Sequence, residues 1–521
     1  MTAAVAGGAL RGRPRSSPLV ARILRMEIRH SAFVWGLPLL AVLFIYDPFR
    51  TAVGYPDLWP LRATVVLNKF WPDCVPFAAG FSAWAGSREG RRHVGDLLAT
   101  TARPAWTRQL CSFAGTLAWV LAAFLAGATA VYVKTATAAT WGGPPVWPVV
   151  AGAVALAAVC ALAFTLGALL PGRFTAPIVA VGIMVVVLEA FRVSVNQSGG
   201  PVGVLSPDGV VPSNDSGLFY PVAPDVSIVQ VIFFAGAVLG AIGLLGLSPR
   251  TGGVGWRGAL AAASAGGARL RTVATAVFAA GVALAVIGFG LAGTAKMSVI
   301  EGTQIPLLHD SAADRPIPYT PVCGGSASFR VCVHPAYRSY LGQTVKSFDL
   351  VMSELAGLPG APVRAVEVAD RTLPAMVFGQ GGDGVVAGTP PVYAFTMDNA
   401  LALIPDPTQF ADSFEQDVAH AVIVGPIGRM VPVPGGGGEQ FQPDLGNPAQ
   451  QAVLNGLLKA IGSQPYPNGG PGQPQAQIAQ QAQIAAAAAR FAALPAATRH
   501  AWLVANLAAL KAGHLTLPQI P

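Results

Sequence analysis

The feature that most constrains this chain is a series of long apolar runs separated by short polar loops. They fall at about 32–46, 64–86, 111–133, 146–170, 175–195, 228–247 and 273–291. In hydrocarbon every backbone N–H and C=O has to be bonded within its own segment, so such runs are read as membrane-crossing α-helices. The whole chain agrees: its 521 residues are 53% hydrophobic and 11% charged, against about 25% charged in ordinary soluble domains. One greasy anchor on a soluble protein does not account for that deficit.

The charges sort by loop. Arg11, Arg13, Arg15, Arg22, Arg25 and Arg29 precede the first run, Arg88, Arg91, Arg92, Arg103 and Arg108 follow the second, and Arg250, Arg257, Arg269 and Arg271 precede the seventh. Lys and Arg beside span ends resist translocation. The arm 1–30 and the loops 87–110, 171–173 and 248–272 are therefore expected in the cytoplasm, and all of them contain Arg. The loop 196–226 has no Lys or Arg and is expected outside. Counting seven crossings from an inside N-terminus puts everything after the seventh outside, so a cell-membrane, multi-pass protein is expected. The net charge of +8 follows this topology, with Arg gathered beside apolar runs, and does not read as a nucleic-acid footprint. The basic arm also suits anionic membrane lipids. Pro14 and Pro18 interrupt it, and no cleavage pattern follows the first run, so a secretory signal is not expected.

The expected fold class is an α-helical polytopic membrane protein with a C-terminal mixed α/β extracytoplasmic domain. Its parts are the arm 1–30, a six-span core 31–248, a basic linker 249–272, the seventh span 273–293 and the domain 294–521. In that domain Tyr337, Leu341, Val345, Phe348, Met352 and Leu355 form an apolar stripe that predicts a helix over 336–356. Further helices are expected over 408–424, 450–461, 478–494 and 496–512, strands over 363–368 and 392–397, and a Gly/Pro loop over 432–447. Cys323 and Cys332 lie close together; in an oxidising compartment they pair, and otherwise they are two free thiols. Only His334 stands near them as a nitrogen ligand, which is too few for zinc. Cys74, Cys111 and Cys160 fall in or beside apolar runs and read as small buried hydrophobes.

No GxxxxGK[ST] phosphate loop, HExxH helix or GxSxG turn occurs. No cofactor or metal site and no catalytic residue is expected, and the scattered Ser, His and Asp form no constellation. Glu189 and Arg192 lie on one helix face at i, i+3 near the end of the fifth run, either as a path or gating pair or as an interfacial pair reaching the headgroups.

The segment from Ser87 to Leu110, SREGRRHVGDLLATTARPAWTRQL, stands apart. Read plainly, it is a topogenic basic loop. It also resembles the segment after the second span in permeases of the type-2 ABC exporter family. Glu89, Gly95, Asp96, Leu97, Leu98, Thr100, Thr101, Arg103 and Pro104 match that family's acid, glycine, acidic-Leu-Leu and Thr-Pro pattern. Arg91, Arg92 and His93 stand in part of the acidic cluster, and the Thr-Pro step is spread over Thr101-Ala102-Arg103-Pro104. The segment CVHPAYRSYL from Cys332 is similar to outer regions of actinobacterial permeases of this kind. The resemblance implies that the loop docks on a separate ABC ATP-binding subunit, which holds the ATP, and that the core pairs with a second copy or a paralogous permease. It covers about the first 250 residues and implies nothing for the seventh span or the C-terminal domain. Two other functions stay open: a membrane-anchored extracytoplasmic binding or assembly module without transport, and a membrane enzyme.

Overall fold

The computed structural model describes residues 17–92, 105–196, 200–207, 217–248, 265–298, 302–310, 314–369, 385–397, 407–425, 428–432, 439–443, 446–464 and 475–521. The first part is a helical bundle: α1 (Ser17–Arg29), α2 (Leu37–Phe44), α3 (Arg50–Gly54), α4 (Trp59–Gly86), α5 (Arg88–Arg91), α6 (Ala105–Ala136), α7 (Val146–Leu169), α8 (Thr175–Asn196), α9 (Pro201–Leu205), α10 (Asp225–Leu247) and α11 (Ala265–Ala292). Five of its segments are long and apolar enough to cross a membrane: Ala21–Gly54, Ala105–Ala136, Val146–Leu169, Asp225–Leu247 and Arg269–Ala292. The shortest of these, at 23 residues, spans about 35 Å as a helix, against a hydrocarbon core of about 30 Å. The other two expected crossings are helical but weaker. Arg62, Lys69 and Asp73 interrupt the apolar character of α4. The apolar part of α8 stops at Ala190, where Glu189 and Arg192 come in.

One boundary differs from the sequence reading. The chain was expected to leave its first helix at Asp47; instead a π turn over Ile45–Phe49 carries it through Pro48 into α3. The wider turn accommodates a residue without an N–H. Asp47 is partnered where it stands: it accepts from Thr51 Oγ1 at 2.7 Å and pairs with Lys69 Nζ at 3.6 Å.

Helices in the bundle approach through small residues, as packing without a hydrophobic drive between helices favours. A Cβ added at Gly167 would meet the Ala83 carbonyl at 2.1 Å, and one at Gly86 would meet the Phe164 carbonyl at 2.1 Å, so α4 and α7 are in backbone contact. The same holds between α10 and α11, where a Cβ at Gly281 would lie 2.2 Å from Gly240 N. The seventh helix is thus packed along the sixth.

The C-terminal half holds the strands. β1 (Lys296–Ser298) pairs with β2 (Gly302–Gln304). A mixed five-stranded sheet follows, made of β3 (Val322–Gly325), β4 (Arg330–Val333), β5 (Arg364–Glu367), β6 (Val385–Ala387) and β7 (Val392–Phe395), in the order β3-β4-β5-β7-β6. The central β4, β5 and β7 are parallel, and both edges are antiparallel. The helices are α12 (Leu341–Leu355), α13 (Pro407–Ile423), α14 (Pro448–Ala460), α15 (Gln475–Ala493) and α16 (Ala496–Lys511). They match the expected helices to within a few residues, except that a 3₁₀ turn over Pro335–Tyr340 precedes α12. The Gly/Pro segment expected as loop contains half of a hairpin, β8 (Gly428–Pro432) with β9 (Glu439–Pro443).

Cys323 and Cys332 face each other in the β3–β4 register and are bonded, with Cα atoms 4.0 Å apart. Closing a loop with a sequence separation of 9 stabilises by about 2.5 kcal/mol through lost unfolded-state entropy. Cys74, Cys111 and Cys160 are buried and outside any disulfide.

Candidate functional site

The start of the loop 87–110 is where several chain segments meet. After α4 ends at Gly86 the chain turns directly into the single turn of α5, which lies against the tight α7–α8 turn: a Cβ at Gly90 would be 2.4 Å from Pro171 Cβ. Arg88 Nη2 donates to Glu27 Oε1 of α1 at 2.9 Å and to its Oε2 at 3.2 Å. Glu89 Oε1 lies 3.7 Å from Arg108 Nε at the start of α6. Arg91 turns back on α4, donating from Nε to Ser87 Oγ at 2.9 Å and from Nη2 to the Trp84 carbonyl at 3.0 Å, with its Cζ 3.4 Å from the Trp84 ring centre. Partial burial, and then the charge of Arg92, hold the Arg91 guanidinium below its usual range. Trp106 Nε1 donates to the Ile242 carbonyl of α10 at 3.1 Å, bringing the sixth helix to the same end. Any displacement of this short helix therefore acts on α1, α4, α6 and the α7–α8 turn together.

Of the residues expected to carry the site, Glu89 and Arg91 sit in this cluster and Arg92 is exposed beside it. Gly95, Asp96, Leu97, Leu98, Thr100 and Arg103 lie outside the described residues. Glu189 and Arg192 form their i, i+3 pair at 3.0 Å, with side chains 57% and 72% exposed. That is an outward-facing pair on α8. Among the described residues no three His, Cys, Asp or Glu side chains are grouped so as to hold a metal ion.

Two features escaped the sequence. The first is the polar cluster between the π turn and α4, where Asp47 of the turn pairs with Lys69 of the helix. Its signal was visible as charge inside an apolar run, but the pairing was hidden because Asp47 was read as loop. An apolar groove of about 550 Å³ lies between α2, α4 and α6 on the same side, lined by Phe44, Phe49, Phe70 and Val120 among others.

The second is the junction at the opposite end from α5. Leu58, Leu218 and Phe219, from loops of the bundle, belong to the core of the C-terminal unit. Thr140 Oγ1 donates to the Pro335 carbonyl at 2.8 Å, and Ile305 N donates to Asp225 Oδ2 at 2.7 Å. His334 is at the centre, fully buried, with the rings of Tyr319, Trp141 and Phe219 centred 4.5, 4.7 and 5.0 Å away. Its Nδ1 accepts from Ala336 N at 3.2 Å, which starts the 3₁₀ turn, and its Nε2 has no hydrogen-bond partner among the described residues. Burial pushes its pKa down from 6.5 to about 4. The imidazole is thus neutral when folded, and the unfolded chain takes up a proton first. Its contribution is complete above pH 6.5 and is lost as pH falls toward 4, amounting to about 3 kcal/mol. The protection factors of the amides around 335–340, taken against intrinsic exchange at each pH, should fall through that window as it is acidified. His334→Asn, which keeps an acceptor but does not titrate, should flatten the profile; an equal slope in both proteins would remove His334 as its cause.

Compared with known proteins, the chain matches no family description, no curated protein and no solved structure.

Proposed function

We propose that this chain is the membrane-spanning permease subunit of an ABC transporter of the exporter type, driven by a separate ATP-binding subunit that docks on the loop 87–110. The observation that carries the reading is the contact set of α5, which ties the start of that loop to α1, α4, α6 and the α7–α8 turn. A docking element has to pass rigid-body motion to the spans it joins, and this arrangement is able to do so. In this reading α4 and α8 cross the membrane alongside the five apolar segments. The end carrying Arg22, Arg25, Arg29, Arg88, Arg91, Arg92, Arg108 and Arg173 is cytoplasmic, and the C-terminal unit with its disulfide is extracytoplasmic. Two cores, from two copies or from a paralogue, form the path, and ATP is held by the partner.

The test needs no knowledge of the cargo. The chain should co-purify with an ATPase encoded beside it. Asp96→Ala, Leu97→Ala and Leu98→Ala together should abolish the permease-dependent part of ATP hydrolysis, by more than about tenfold, while the ATPase keeps its basal rate. Full stimulation in the triple variant would sink the docking assignment. A second reading, a membrane-anchored binding or assembly module, draws on the tight junction around His334, and it predicts unchanged activity when the loop 87–110 is scrambled.

A further inference from the structure

α1 carries a surface that the permease reading does not use. At about 100° per residue, Arg22, Arg25, Met26 and Arg29 fall on one side of the helix, and Ile23, Leu24, Glu27 and Ile28 on the other. The second side is packed: Trp119 Nε1 of α6 donates to the Ile28 carbonyl at 2.7 Å, and Gly115 lets α6 approach the Glu27 backbone. Glu27, the only acid of the helix, is turned inward and taken up by Arg88. Among the described residues, every charge on the exposed side is therefore positive. Arg22, Arg25 and Arg29 are all exposed, and Met26 is 53% exposed among them. The backbone then breaks at Ser31, which is extended at φ −61°, ψ 129° and caps the following turn with its side chain. That break frees α1 from the direction of the apolar segment it introduces.

We infer that this face binds the phosphate-bearing headgroups of anionic phospholipids. Three guanidiniums in a row match phosphate by charge and by forked hydrogen bonding. An exposed methionine between them suits the headgroup–acyl boundary, where an amphipathic helix lies in the membrane plane. α1 runs into the start of the segment Ala21–Gly54, which is long and apolar enough to cross a membrane, and the three arginines lie at the N-terminal end of that segment, so such headgroups are at hand. Through Glu27 and Arg88 the bound lipid is linked to α5. The inference rests on the membrane reading of the chain and not on the ATPase.

The test is native mass spectrometry of the detergent-purified full-length chain titrated with phosphatidylglycerol or with phosphatidylcholine. Phosphatidylglycerol should be retained preferentially, and each of Arg22→Gln, Arg25→Gln and Arg29→Gln should lower its retention about fivefold. Arg269→Gln with Arg271→Gln, a double change at basic positions of α11, should leave it unchanged, and any one of the three α1 variants that folds suffices for the comparison. Equal retention of both lipids, or an equal loss in the α11 variant, would overturn the inference. Displacement of the lipid by inorganic phosphate would overturn it in favour of a free anion. In the α1 arginine variants, an undiminished preference for phosphatidylglycerol together with loss of ATPase co-purification would overturn it in favour of a protein partner.

Discussion

Phe348→Ala is expected to destabilise the C-terminal unit by about 4 kcal/mol. Phe348 is fully buried, and its ring is centred 5.3 Å from Phe395, 5.5 Å from Phe414, 5.8 Å from Tyr393 and 5.9 Å from Phe329. Those rings come from β7, α13 and the entry to β4, so one side chain holds the helix layer to the sheet. Removing it loses the transfer energy of the ring and leaves a cavity between elements already fixed by a disulfide and by sheet bonds, which cannot collapse to fill it. Hydrogen exchange in the full-length chain reads the effect directly: amides of 341–355 should lose about a thousandfold in protection, as 4 kcal/mol requires. Phe348→Leu should retain more than half of the stability lost by alanine. A loss below about 1 kcal/mol would mean that the aromatic cluster is not the keystone of this unit.

Arg499→Ala should be nearly as damaging, at about 3–5 kcal/mol, because it strands a buried carboxylate. Arg499 and Glu354 are 8% and 6% exposed and join α16 to α12. The guanidinium donates from Nε to Glu354 Oε2 at 3.2 Å, from Nη2 to Glu354 Oε1, and from Nη1 to the carbonyls of Ala492 and Leu494. Its fork therefore also closes the α15–α16 turn. Lysine has a single charged point and cannot serve four acceptors in this geometry, so Arg499→Lys should rescue little. Replacing both partners by methionine removes the stranded charge and should recover most of the loss. Thermal unfolding of the wild type, Arg499→Met, Glu354→Met and the double variant, followed by near-ultraviolet circular dichroism, gives the coupling between the two positions. Additive losses would show that the pair is not coupled.

The helices were readable from the chain because each depends on a local pattern. Runs such as 146–170 and 228–247 contain almost nothing but apolar residues, and the stripe from Tyr337 to Leu355 repeats at three to four residues. The strands were read less well. β3 is only Val-Cys-Gly-Gly, β6 is three residues long, and β9 alternates Glu, Gln, Phe, Gln and Pro. None is apolar or long enough to stand out, and each exists because a neighbour supplies its hydrogen bonds. The disulfide lay between these cases: proximity in the chain suggested it, but the opposed register of Cys323 and Cys332 makes it.

The candidate site divides in the same way. Its charge was legible in the arginines of the loop 87–110, since net charge near an apolar run is a property of the sequence. Which of those arginines carry load was not. Arg88 finds Glu27 across 61 residues, and Glu89 finds Arg108 of another helix. Arg91 is spent on its own helix end, and Glu189 with Arg192 remains an outward-facing pair. His334 shows the limit most sharply. It looked like a spare ligand near two cysteines, and it is the buried centre of an aromatic junction whose rings come from residues 141, 219 and 319. Apolar periodicity and charge placement are written one stretch at a time, so the chain alone determines where helices form and where arginine gathers. Partners for buried polar groups come from distant stretches, and only the packing of the whole chain selects them.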